Sequence, residues 1–222
     1  MWWGRPSACA GHSAPLPDAG ENLTSEKALT FVPSYRRRLP HIHQIGEPLF
    51  VTWRLADSLP VNRSFRPDDL TDGRAFVVFD RLLDVACTGP LYLRQPALAE
   101  MVMRHLVRLA QDEEMYSLHA FVVMPNHVHL LLTPNTPFPR IARLVKGATA
   151  RWANQLLGTT GKAFWQDESY DHRVKNRDEW SRIRRYIELN PVRSGLAATP
   201  ESYPYSSASP GWSERLVEQK RG

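Results

Sequence analysis

The sequence predicts an α+β domain with a ferredoxin-like, mainly antiparallel sheet and helices packed on one face. Three observations lead there. Two β-rich runs, Tyr116–Met124 and His127–Thr133, are separated only by Pro125-Asn126, a break that suits a tight hairpin turn. An earlier run, Pro48–Leu55, is rich in β-branched and aromatic residues, with turn formers on both sides. Segments of helical apolar period precede and follow the hairpin, and strands interleaved with helices in this way define the α+β class.

Taken in order, the strand Pro48–Leu55 is followed by helical stretches at about Asp72–Cys87 and Pro96–Glu113, the second with Leu98, Met101, Val102, Leu106 and Leu109 on its apolar face. The hairpin comes next. A helix from about Arg140 to Leu157 places Ile141, Leu144, Val145, Ala148, Trp152 and Leu156 on one face and meets a natural stop at Gly158. This assigns Trp152 to the core and leaves Arg143 and Lys146 away from it. Trp165, in a short Phe164-Trp165-Gln166 element, is assigned to neither core nor surface. A last helix spans about Asp178–Leu189 and ends before Asn190-Pro191, because a residue preceding proline is disfavoured in the α region. There is no internal repeat.

A chain of 222 residues is long enough for one domain with a sizeable core. Residues 1–34 are rich in Ser, Ala, Gly and Pro without a hydrophobic period and read as a disordered leader. The domain spans 35–207, and 208–222 reads as a disordered tail. Two cysteines, Cys9 and Cys87, are too few for a disulfide framework and fit a reducing, cytoplasmic setting. No run approaches the apolar length of a membrane span. A formal net charge of +5 and a pI near 9.4 favour an anionic partner such as nucleic acid.

Residues two apart on a strand share a face, so His127 and His129 project together while Val128, Leu130 and Leu132 line the other side. Neutral imidazoles bind divalent metals, and an apolar far face supplies rigidity. The same pattern also describes the wet face of an edge hairpin, and a metal site needs at least one further donor. Four residues apart on the last helix, Tyr186 and Asn190 share a face if the final turn stays helical to Asn190. A phenol is a weak nucleophile near its usual pKa of about 10, so neighbouring cations would matter. Arg182, Arg184, Arg185 and Arg193 flank the tyrosine, and Arg143, Lys146 and Arg151 lie on the preceding helix. A buried amphipathic tyrosine and solvated arginines describe the same residues.

Together the motifs Phe121–Pro134, Lys146-Gly-Ala-Thr, Phe164-Trp-Gln-Asp, Tyr186–Leu196 and the terminal Tyr203-Pro-Tyr-Ser-Ser resemble the REP-associated tyrosine transposases, of the HUH single-tyrosine class. The resemblance covers roughly 35–207. It implies a ferredoxin-like core, an HUH motif at His127-Val128-His129 and a nucleophile at Tyr186. A polar residue one turn after the tyrosine, here Asn190, would complete a site for Mg²⁺ or Mn²⁺. The implied activity is cleavage and rejoining of single-stranded DNA bearing hairpins of palindromic repeats, through a 5′-phosphotyrosine intermediate. Candidate DNA contacts are Arg36, Arg37, Arg38, Lys146, Arg185 and Arg193. Two alternatives remain: a domesticated DNA-binding protein without transposition activity, and a metal hydrolase, for which no carboxylate base is evident.

Overall fold

Period-two alternation in three strands builds the sheet and decides what lies on each side of it. The computed structural model describes residues 44–58, 89–167, 169–210 and 212, all within one unit spanning 41–222. The expected helix Asp72–Cys87 and the Arg36–Arg38 run lie outside these residues. The described elements run β1 (Leu49–Arg54), α1 (Pro96–Gln111), β2 (Tyr116–Val123), β3 (His127–Pro134), α2 (Phe138–Leu157), β4 (Tyr170–Arg173) and α3 (Arg177–Arg193). The sheet order is β2-β3-β1-β4, and every neighbouring pair is antiparallel. That βαββαβ order is the ferredoxin-like arrangement, followed by one further helix.

On one face, Leu49, Val51 and Trp53 of β1, Leu55 just after it, and Val128, Leu130 and Leu132 of β3 meet α1 and α2 in the larger core. On the other, Phe50, Ala120, Val122 and Leu131 meet Ile187 of α3 in a second, smaller core. The helices α1 and α2 thus share one face as the sequence suggests, and α3 covers the opposite face. Both faces of β3 are therefore closed to water, which is why all but one of its eight residues are buried.

Each helix has a local reason. Proline occupies the first turn of α1, where its missing N–H costs nothing, and Leu98, Val102, Leu106 and Leu109 form the buried stripe. In α2 the buried row is Ile141, Val145, Thr149 and Ala153; it keeps Ile141 and Val145 of the face that the sequence suggests but turns away from Trp152 and Leu156. Trp152 is 50% exposed and Leu156 65% exposed, so neither belongs to the core. Thr149 disguises the true row: its hydroxyl donates to Val145 O (2.6 Å) and accepts from Trp165 Nε1 (2.8 Å), which lets a polar residue sit buried. Trp165, 4% exposed, is core. Gly158 stops α2 in the left-handed region, with φ +65°.

At the start of α3, Asn176 Oδ1 accepts from Glu179 N (2.9 Å), and Glu179 Oε2 accepts from Lys175 N (2.7 Å), a reciprocal cap. This helix does not end before Asn190-Pro191 but continues to Arg193. In the last turn, proline removes only its own N–H bond, and the carbonyls of Asn190 and of Pro191 itself are met by Ser194 N (3.0 Å) and Leu196 N (2.8 Å). The short strand β4, Tyr-Asp-His-Arg, carries no apolar alternation for a sequence reading to find. The segment after α3 lies along the free edge of β2, with Val123 N donating to Tyr205 O and Ser207 N to Phe121 O, each at 2.9 Å, so that this edge is covered. Among the described residues no helix is long and apolar enough to cross a membrane.

Candidate active site

The histidines of β3 lie under α3, not in solvent. His127 and His129 are both 0% exposed, so the wet-edge reading of the pair does not hold. Their strand sits in the middle of the sheet, paired to β2 on one side and β1 on the other. Their Nε2 atoms converge to 3.0 Å, and Asn190 Nδ2 lies 3.3 Å from His129 Nε2. Because α3 stays helical through Pro191, Asn190 is carried one turn past Tyr186 and buried against the pair (1% exposed).

Behind each ring is a further polar group that sequence reasoning does not single out. Asn126 Oδ1 stands 2.7 Å from His127 Nδ1, and Thr52 Oγ1 stands 2.8 Å from His129 Nδ1. Thr52 comes from β1, directly opposite His129 in the register. Assigned from these partners, His127 carries its proton on Nδ1 and turns an Nε2 lone pair inward. Two imidazole lone pairs facing each other at this distance repel, so the pair must hold a proton or a cation between its nitrogens. The Thr52 hydroxyl can donate to or accept from His129 Nδ1, and so supports either case. Phe50 stacks on His129 at 5.7 Å between ring centroids and walls off the pair.

Tyr186 is half-buried beside them. Its ring centroid is 5.8 Å from that of His129 and 6.3 Å from that of Phe50. Arg193, two turns on, places its guanidinium carbon 5.2 Å from the Tyr186 ring centre, within cation–π range. The geometry thus gathers His127, His129, Asn190, Tyr186 and Arg193 in one place. Arg185 stands apart on the exposed side of α3, in an open groove of about 420 Å³ with Arg184, Glu188 and Ser207.

Lys146 is placed differently from the solvated position that the sequence suggests. Its Nζ donates to Gln166 O (2.5 Å) and Asp167 O (2.8 Å), and burial, offset in part by Asp167, draws its pKa below the usual lysine value. With the Thr149–Trp165 bond, this joins the Lys-Gly-Ala-Thr and Phe-Trp-Gln-Asp motifs into one structural unit. Arg36, Arg37 and Arg38 fall outside the described residues.

Among the described residues no group of three or more His, Cys, Asp or Glu could hold a metal ion. A site here would be two imidazole nitrogens completed by the neutral amide oxygen of Asn190. The donor set fits: the two orienting groups leave both Nε2 atoms available, and an asparagine amide can turn its oxygen where its nitrogen stands. Two imidazole nitrogens and one amide oxygen form a donor set that a divalent ion such as Mg²⁺ or Mn²⁺ can accept.

Residues 93–190 match the family model described as "Transposase IS200 like", a span that ends on Asn190. That match spans less than half of the chain, and over it the chain is similar to the IS200-like transposases. It is also similar to a REP-associated tyrosine transposase. It is 25% identical over 113 residues to the one from Escherichia coli (strain K12), covering 48% of this chain and 62% of that protein, less than two thirds of the relative's length. The fold resembles that of a REP-associated tyrosine transposase solved bound to a REP hairpin, with TM-score 0.50 and 20% sequence identity over 83% of this chain and 88% of that one.

Proposed function

We infer that the protein is a metal-dependent single-tyrosine DNA transposase that cleaves and rejoins single-stranded DNA at hairpins of palindromic repeats. The observation that carries this reading is the buried convergence of the His127 and His129 Nε2 atoms at 3.0 Å, with the Asn190 amide beside them and Tyr186 against His129. A structural histidine pair would not need two orienting partners and a tyrosine flanked by arginine.

His127, His129 and Asn190 would hold Mg²⁺ or Mn²⁺. When bound, the ion supplies Lewis-acid polarisation of the scissile phosphate and stabilises charge on its oxygens. Tyr186 Oη attacks phosphorus; the Oη–P bond forms as the P–O3′ bond breaks, the phenol proton passes to solvent water, and the departing 3′ oxygen takes a proton from water to become a hydroxyl. The product is a 5′-phosphotyrosine link and a free 3′-hydroxyl, and a second 3′-hydroxyl can reverse the step because the phosphodiester bond energy is kept. Arg193, above the Tyr186 ring, favours the phenolate and adds positive charge beside the phosphate. The hairpin-bound relative supports palindromic-repeat DNA as the substrate class.

The test is incubation with labelled single-stranded hairpin DNA and Mn²⁺. A covalent adduct that survives denaturation is expected from the wild type and absent from Tyr186→Phe. Wild-type protein that binds the hairpin and forms no adduct would reduce the function to DNA binding alone.

A further inference from the structure

On the other side of the sheet from Tyr186, helix α2 carries a feature that the site does not use. Its 20 residues include Arg140, Arg143, Lys146 and Arg151 and no Asp or Glu. Lys146 is held by the carbonyls of Gln166 and Asp167. Arg140, Arg143 and Arg151 are exposed and make no ion pair among the described residues. Three uncompensated cations on one helix are an electrostatic cost unless an anion meets them.

Between them sits Gly147, also exposed. A glycine in a helix interior is destabilising by about 1 kcal/mol relative to alanine. Here the fold does not require it: a Cβ at Gly147 would meet nothing within 4 Å, and its φ is not in the left-handed region. At a rotation of about 100° per residue, Arg140, Gly147 and Arg151 fall within about 40° of one another on the helix surface, with Arg143 alongside. The result is a basic ridge about 16 Å long with its middle cut down to backbone. Glycine at such a place allows close approach by something outside the molecule.

We propose that this ridge is a second DNA-contact surface, on which a phosphodiester backbone lies across Gly147 between the guanidinium groups of Arg140, Arg143 and Arg151. At one charge per roughly 3.4 Å of strand, the ridge spans about five phosphates. Arginine suits the task because its planar fork grips phosphate oxygens in pairs. The proposal rests on the reading of DNA as substrate and adds to it: since α2 and α3 cover opposite faces of the sheet, the bound DNA extends past the cleavage site and around the domain.

The experiment measures binding of a labelled hairpin oligonucleotide with single-stranded flanks, by anisotropy over a salt series without divalent metal, for the full chain and its variants. Arg143→Gln and Arg151→Gln are each expected to reduce the slope of log K against log salt, by about 0.9 if the ridge meets the duplex stem and about 0.7 if it meets a single strand. Gly147→Gln, which stands a side chain between the arginines, is expected to lose roughly tenfold in affinity, the equivalent of one charge-assisted contact. Gly147→Ala provides the control for folding: it should raise the melting temperature while weakening binding. Unchanged slopes and affinities would overturn the proposal, as would a Gly147→Ala variant that melts lower than wild type, since the glycine would then serve the fold. Binding is read without chemistry, so an absent Tyr186 adduct would sink the nuclease reading and leave the ridge standing.

Discussion

The two faces of β3 are equally buried and differ completely in what burial achieves. Toward α1 and α2, Val128, Leu130 and Leu132 enter an apolar core whose only demand is volume. Toward α3, His127 and His129 are just as inaccessible, yet each ring nitrogen is directed by a named partner. One face holds the strand still, and the other uses that stillness to aim two imidazoles at one point. Alternation along a strand therefore separates not inside from outside but scaffold from site.

Mutations on opposite faces should separate these roles. The largest effect on stability is expected from Leu130→Ala, which should cost about 2–5 kcal/mol in denaturant unfolding while the folded fraction keeps its Mn²⁺ affinity. The largest effect on the site is expected from His129→Ala. Wild-type protein at a Mn²⁺ concentration of about 100 times Kd should gain about 2.7 kcal/mol, visible as a higher melting temperature, and the variant should gain nothing. If the variant still responded to Mn²⁺, the histidine face would be structural after all.

A smaller change sharpens the contrast. Thr52→Val keeps the shape of a buried β1 residue and removes the hydroxyl behind His129. Its expected effect is a loss of about 10- to 100-fold in Mn²⁺ affinity by calorimetry. An unchanged affinity would mean that the His129 ring is oriented by packing against Phe50 alone.

The smallest effect is expected at the start of α3, where no chemistry is done. Burial tends to raise the pKa of Glu179, but its bond from Lys175 N and its contact with His172 outweigh this and hold the carboxyl below the usual value of 4.5. A depressed folded pKa contributes stability that is complete above the ordinary glutamate range and is lost as pH falls through the folded value. Between about pH 6 and about pH 3, denaturant midpoints should therefore fall further for wild type than for Glu179→Gln. Equal falls would remove this carboxyl from the pH dependence of the helix start.

Much of this is legible in the sequence, for reasons that also explain the gaps. The hairpin can be read because Pro125-Asn126 is strong turn chemistry between two β-rich runs, and α1 because its apolar stripe is regular. Period alone does not choose between two adjacent rows of α2, since a buried Thr149 and an exposed Trp152 invert the usual polarity. Strand β4 owes its place to pairing with β1, a long-range fact that its own four residues do not state. His127, His129, Tyr186 and Asn190 are visible as a motif, whereas the end of α3 is not, because proline near a helix terminus is tolerated and does not mark the boundary. Thr52 and Asn126 are hidden for different reasons. Thr52 becomes a partner of His129 only through the β1–β3 register, and Asn126 carries the ordinary signature of a turn residue.

The central question is which side chain takes the phosphate. After reaction with hairpin DNA and Mn²⁺, the denatured adduct should be digested with nuclease and trypsin, and the modified peptide located by mass spectrometry. The expected result is a nucleotide remnant on Tyr186, in the fragment Tyr186–Arg193. A remnant on any other residue, or none from protein that binds the hairpin and Mn²⁺, would contradict a tyrosine nucleophile at this position.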